Sequence, residues 1–188
     1  MRRLMVSEFI TLDGVVEAPG GEPGHPHTGW VFDYHGPELE QYKLDESNAA
    51  SAMLFGRVTY EGFAEAWPPR SGPIADRLNS IPKYVASSTL PSPLEWSNTT
   101  LLTGDLAEAV NELKQGDGGP ILVHGSGTLV RSLLEAGLVD DLRLMVFPVT
   151  VGGGGTIFPG DFMKSTFTLA TSEVVLPNVI TLTYERAA

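Results

Sequence analysis

Pro120-Ile121-Leu122-Val123-His124-Gly125-Ser126-Gly127-Thr128-Leu129-Val130, continuing to Gly137, sets the architecture of this chain of 188 residues. Ile121 to Val123 is a short apolar run that reads as a buried strand. Small residues follow from Gly125 to Thr128. Leu129, Val130, Leu133 and Leu134 then recur at helical spacing, and Gly137 is a helix stop. A strand, a small-residue turn and a helix together present free backbone N–H groups and the positive end of a helix dipole to a phosphate. Glycines in such a turn let the main chain approach an anion without a Cβ in the way. The spacing alone leaves two readings open. It lacks the full dinucleotide fingerprint and has no Gly-Lys-Ser/Thr, so a tight turn without a ligand accounts for it equally well.

The same design recurs on the amino-terminal side. Met53-Leu54-Phe55 reads as a second buried strand, and Gly56-Arg57-Val58-Thr59-Tyr60-Glu61 opens another helix. Arg57 can grip a phosphate monoester in bidentate fashion and Thr59 can add a hydroxyl, or the pair is an exposed arginine and a capping threonine. Lys83 to Ala86 is a third strand and runs into Ser87-Ser88-Thr89, a third set of possible anion contacts. All three turns lie at carboxyl ends of strands, where open α/β sheets gather their ligands. Thr99 to Leu102 is a fourth strand, and Asp105 caps a helix that carries Leu106, Ala109, Val110 and Leu113 on one face.

Leu4 to Thr11 is rich in strand formers and reads as the first strand. Asp13-Gly14 after it is a turn signal, with Asp13 either orienting a ligand or closing the turn on its own backbone. Residues 17–36 carry Gly, Pro and His with scattered aromatics, the signature of a functional loop or lid. Trp30 and Phe32 there either cover a flat ligand or belong to the core. His25, His27 and His35 beside Asp33 raise the question of metal, but no pair of them is fixed on a regular element, so no metal site is assigned. Pro37 to Ala52 reads as a helix whose carboxylates Glu38, Glu40, Asp45 and Glu46 form a solvated face. Trp67-Pro68-Pro69 ends the helix after Gly56 and begins a turn-rich crossing. Leu142 to Val151 is long and apolar enough for an interior strand, while Pro148 within it points to an edge or a bulge. Gly152 to Gly155 is a bend, and Phe167 to Leu176 with Val179 to Arg186 form a closing hairpin. Strands that alternate with helices before an antiparallel pair make one α/β domain over residues 1–188 with a mostly parallel sheet.

Composition narrows the function classes. A net charge of −11 lacks the basic face that nucleic acid requires. No apolar run reaches the roughly 20 residues of a membrane span. The absence of cysteine rules out disulfides and thiolate chemistry and is compatible with the cytoplasm.

Leu54-Phe55-Gly56-Arg57-Val58-Thr59-Tyr60-Glu61 resembles the Gly-Arg-x-Thr-Tyr/Trp-Glu segment of the dihydrofolate reductase superfamily. His124 to Val130, followed by Leu133 to Asp140, is similar to the reductase domain of the riboflavin-pathway deaminase/reductases, as are Thr11 to Gly14 and Phe147 to Phe158. The resemblance implies a three-layer dihydrofolate reductase-like fold, with helices on both faces of the sheet, and NADPH as cofactor. Gly56, Arg57, Val58 and Thr59 would meet cofactor phosphates, and Ser87, Ser88 and Thr89 would flank the 2′-phosphate. Gly125, Ser126, Gly127, Thr128 and Leu129 would hold the pyrophosphate, and Val16 would border the nicotinamide. Phe9, Trp30, Phe32 and Tyr60 would surround a small-molecule substrate of pyrimidine or pterin type, with Asp13 as proton donor ahead of Glu8 and Asp33. A homodimer through the sheet edge near the carboxyl terminus is also implied. Dihydrofolate reductases place a carboxylate in their first helix to hold the pterin, and no residue here aligns to it by motif. The alternatives to an NADPH-dependent reductase are a non-catalytic binding protein on the same fold and a metal-dependent hydrolase built on the histidine loop.

Overall fold

A computed structural model describes residues 1–160, 162 and 164–187. In chain order these form β1 (Leu4–Thr11), α1 (Pro37–Ala49), β2 (Ala52–Gly56), α2 (Arg57–Ala66), α3 (Pro73–Ser80), β3 (Lys83–Ala86), β4 (Thr99–Leu102), α4 (Leu106–Gln115), β5 (Ile121–His124), α5 (Gly127–Glu135), β6 (Asp141–Phe147), β7 (Phe167–Leu176) and β8 (Val179–Arg186). The strands make one eight-stranded sheet in the order β4-β3-β2-β5-β1-β6-β8-β7. Pairings from β4 through β6 are parallel, and β8 pairs antiparallel with both β6 and β7. The sheet thus has the mostly parallel body and antiparallel hairpin expected.

Alternation along β1 divides the core between the two faces. Leu4, Val6 and Ile10 pack with Val110 of α4 and with Leu129, Val130, Leu133 and Leu134 of α5. Met5 faces the other way and joins Phe55, Tyr60 of α2 and Leu78 of α3. Phe9 lies on that second face too, against the buried Phe147, Met145 and Leu39 of α1.

Three expectations are corrected. The crossing after Trp67 contains the eight-residue helix α3, begun by Pro73 after Gly72 at φ 109° and holding Ala75 and Leu78 inside. Ile74, Ala75, Leu78 and the following Ile81 stand at helical spacing, a period that the flanking prolines and glycine masked. β6 is an interior strand between β1 and β8, so Pro148 marks neither an edge nor a bulge; β6 stops at Phe147, and Pro148 has no N–H to extend the ladder. Within the loop of residues 17–36, Trp30–Tyr34 forms a 3-10 turn. No helix among the described residues is long and apolar enough to cross a membrane.

Candidate functional site

Parallel pairing brings the turns after β2 and β5 side by side, and they are laced together. The Gly56 N–H donates to Ser126 Oγ at 2.9 Å, and the Ser126 N–H donates to Thr59 Oγ1 at 2.9 Å. Ser126 sits at φ 64°, ψ 39°, and Gly125 before it at φ 55°. A Cβ on Gly125 would lie 3.3 Å from Thr59, and one on Gly127 would lie 3.3 Å from Val16 Cγ2. The loop after β1 therefore closes on the start of α5. Neither α2 nor α5 has a side-chain cap among the described residues. The first N–H groups of both helices are left without intrahelical acceptors at neighbouring strand ends, which concentrates partial positive charge there. Across the sheet, Gly56 pairs with Ala86, so Ser87 follows beside it. Ser87 Oγ accepts from the N–H groups of Thr89 and Leu90, while Ser88 and Thr89 stay exposed.

The loop after β1 forms a rim with the glycine run. The Asp13 carboxylate accepts from the N–H groups of Val151, at 3.1 Å, and Gly152, at 2.7 Å, and from Thr11 Oγ1. Those bonds, Thr11 foremost, lower its pKa. Glu17 accepts from the Gly155 N–H, and the Val16 N–H donates to Gly155 O.

A second constellation lies between α1 and the sheet. Leu39, Lys43, Glu46 and Ala50 follow helical spacing, and that stripe turns inward. The Glu46 carboxylate is sealed there with four partners: Lys43, Ser7 Oγ at 3.0 Å, His124 Nε2 at 2.9 Å and, on its other oxygen, Arg143 at 2.9 Å. Burial alone would raise its pKa, but Lys43 and the hydrogen bond from His124 outweigh burial and hold it well below the usual carboxylate range. Burial and the Lys43 charge lower the pKa of His124, so its ring is neutral beside an ionised Glu46. Lys43 also lies 5.2 Å from the Phe9 ring centroid. The reading of Glu46 as solvated is thus corrected. The stripe spacing carried the signal, but the charges on it masked the inward face.

The family model described as RibD C-terminal domain matches residues 2–181. This chain belongs to that family. Uncharacterized protein YyaP of Bacillus subtilis (strain 168) is 28% identical over 163 residues, covering 84% of this chain and 80% of YyaP. A putative riboflavin biosynthesis protein from Shewanella sp. PV-4 shares the fold with a TM-score of 0.76 at 22% identity, over 99% of each chain. Dihydrofolate reductase from Enterococcus faecalis, complexed with NADP(H) and RAB-propyl, shares it with a TM-score of 0.62 at 17% identity, over 99% of this chain and 97% of that one.

In this RibD C-terminal domain the residues singled out from sequence do not all converge. Val16, Gly56, Thr59 and Gly125 to Leu129 gather at one place. Arg57 and Val58 stand exposed at the start of α2, Arg57 paired with Glu61 at 2.8 Å. Phe9 is half-buried beside the Glu46 constellation. Trp30 and Tyr60 serve the core. Trp30 is buried against Phe147, with its indole N–H on Glu17 O, and so is no lid over a ligand. Tyr60 is buried against Trp96, whose N–H donates to the Tyr60 hydroxyl. Phe32 is exposed and lies over the loop's own Gly21 and Gly29. Asp13 as proton donor does not fit: its oxygens anchor the glycine run, and those bonds favour the ionised form. In the histidine loop, His25 Nε2 meets Gly153 O at 2.7 Å, and no metal-binding group of three occurs among the described residues.

Proposed function

We propose that this protein is an NADPH-dependent reductase that passes hydride to a small heterocyclic or carbonyl compound of pyrimidine or pterin type. The observation that carries the reading is the pair of uncapped helix starts, α2 and α5, interlocked at adjacent strand ends. A dinucleotide with two phosphate centres fits such a pair, and a Cβ at Gly125 or Gly127 would crowd Thr59 or Val16. The backbone from Gly125 to Leu129 holds the pyrophosphate, and the first turn of α2 adds N–H donors. Arg57 leaves its exposed pairing with Glu61, worth at most about 1 kcal/mol, for a 2′-phosphate. Ser88 and Thr89 border the same phosphate, and Val16 and Phe9 exclude water where the nicotinamide meets the substrate. NADPH, when bound, supplies the hydride.

Thermal shift with NADPH and with NADH tests the reading. At a hundred times its dissociation constant, NADPH adds about 2.7 kcal/mol of stability. Arg57→Ala removes most of the NADPH preference. Absence of any NADPH shift overturns the reading, and a shift without NADPH oxidation on any heterocycle supports a non-catalytic binding protein. A homodimer is part of the same proposal. It forms through the sheet edge near the carboxyl terminus, where β7 is the outermost strand and Leu169 and Val174 are exposed. Light scattering showing a monomer at micromolar concentration removes that part.

A further inference from the structure

Away from the interlocked turns, α2 and residues 87–98, which join β3 to β4, enclose a cavity of about 620 Å³. That volume suits a small molecule. Its floor is fixed. Tyr60 and Trp96 are 5% and 3% exposed, the Trp96 indole N–H donates to Asn79 at 2.8 Å, and Lys83 Nζ lies 4.5 Å from that ring's centroid. Lys83 donates to the carbonyls of Leu78, Asn79 and Ile81, so its three N–H groups are taken.

The rim is acidic where acids are unfavourable. Glu61 and Glu65 stand one turn apart on α2, where like charges repel, and Glu65 adds its charge to the carbonyl end of the helix with no basic residue to offset it. Glu95 joins them from the other wall. Neither Glu65 nor Glu95 has an ion-pair partner among the described residues. Glu61 has only Arg57, and Arg70 stacks over Trp67 instead. On the floor, the Tyr60 hydroxyl accepts the Trp96 N–H at 3.3 Å, while its own O–H has no acceptor among the described residues. A buried donor without an acceptor, the apolar Leu90 and Leu94, and a rim of carboxylates define a complement. It has an oxygen acceptor at one end, an aliphatic body and an ammonium at the other.

We propose that this cavity binds a small aliphatic amine bearing a carbonyl or hydroxyl oxygen, the oxygen accepting from Tyr60 and the ammonium lying among Glu61, Glu65 and Glu95. Occupancy draws Glu61 away from Arg57 and frees Arg57 for the 2′-phosphate. The amine and NADPH therefore bind cooperatively, and NADH, which lacks that phosphate, does not share the gain. The coupling rests on the reductase reading above; the amine site stands without it.

Calorimetric titration of the full chain with aminocaproamide, an ammonium and a carboxamide joined by an alkyl chain, tests the site. Caproamide lacks the ammonium, and hexylamine lacks the acceptor. Aminocaproamide binds at millimolar concentration and each truncated probe about fivefold more weakly, the scale of one exposed ion pair or one hydrogen bond. Glu65→Gln and Glu95→Gln weaken aminocaproamide to a similar extent, and Tyr60→Phe erases its advantage over hexylamine. If Tyr60→Phe does not fold, the comparison with hexylamine on the wild type decides. No heat from aminocaproamide, equal binding of all three probes, or an equal loss in Glu108→Gln on α4, which would mean diffuse attraction to an acidic protein, overturns the site. With the amine bound, NADPH affinity rises by up to about fivefold, the scale of the released Arg57–Glu61 pair, and NADH affinity is unchanged. Glu61→Gln binds NADPH more tightly from the start and gains nothing from the amine. Amine binding with no rise in NADPH affinity overturns the coupling. Absence of NADPH binding sinks the reductase reading and the coupling with it, and the aminocaproamide titration then decides the site by itself.

Discussion

Glu8 on β1 and Glu46 on α1 are both hidden from solvent, at 3% and 4% exposure, and they titrate in opposite directions. Ser7 bonds to Glu46, so strand alternation turns its neighbour Glu8 to the other face of the sheet, the apolar one packed by α4 and α5. Burial raises the pKa of Glu8 well above the ordinary value of 4.5; Lys43 pulls it back only in part, and Oε1 has no hydrogen-bond partner among the described residues. Around Glu46 the same desolvation is outweighed by Lys43, His124, Ser7 and Arg143. Depth in the protein sets the cost of a carboxyl, and the number of donors decides which protonation state survives.

Removing the well-partnered acid tests that contrast most severely. Glu46→Ala strips Lys43, Arg143 and His124 of their common acceptor, and a loss of about 3–5 kcal/mol in urea unfolding is expected. A loss below about 1 kcal/mol would mean that solvent already satisfies those groups. Glu8→Met should do the reverse and stabilise the fold by about 1–3 kcal/mol at pH 8, because an unpaired polar atom is replaced by an apolar one. The gain depends on pH. The folded state holds a proton on Glu8 that the unfolded chain releases above about 4.5, so native stability is lost as pH rises from there through the raised folded pKa. The advantage of Glu8→Met therefore grows with pH over that window, and a flat difference would refute the protonated state. Glu46 contributes with the opposite sign. Its stabilisation is present above 4.5 and is lost as pH falls through its depressed folded pKa, so Glu46→Gln flattens the acid limb of an unfolding titration. The smallest effect belongs to the exposed Arg57–Glu61 pair: Arg57→Ala changes stability by less than about 0.5 kcal/mol while narrowing the gap between NADPH and NADH in thermal shift.

Much of the architecture was legible in local pattern. β3, β4, β7 and β8 stand where their β-branched and apolar runs begin and end, and α5 follows the period of Leu129, Val130, Leu133 and Leu134. The strand-end turns were legible as well, since Gly56 and Gly125 to Gly127 announce tight backbone whatever surrounds them. The roles of aromatic and acidic side chains were not. Trp30 and Tyr60 have the composition of a ligand pocket, but the strands and loops beside them claim both rings for the core.

The amino-acid sequence by itself determined the strands, most of the helices, the glycine turns and the family, because each depends on neighbours within a few residues or on a contiguous motif. Only the tertiary structure decided that Glu46 is an ionised buried acid and Glu8 a solitary one. Apart from Lys43, the partners of Glu46 lie 39 to 97 residues away along the chain, on β1, β5 and β6. A carboxyl's charge state depends on solvent and donors that arrive only when the sheet assembles.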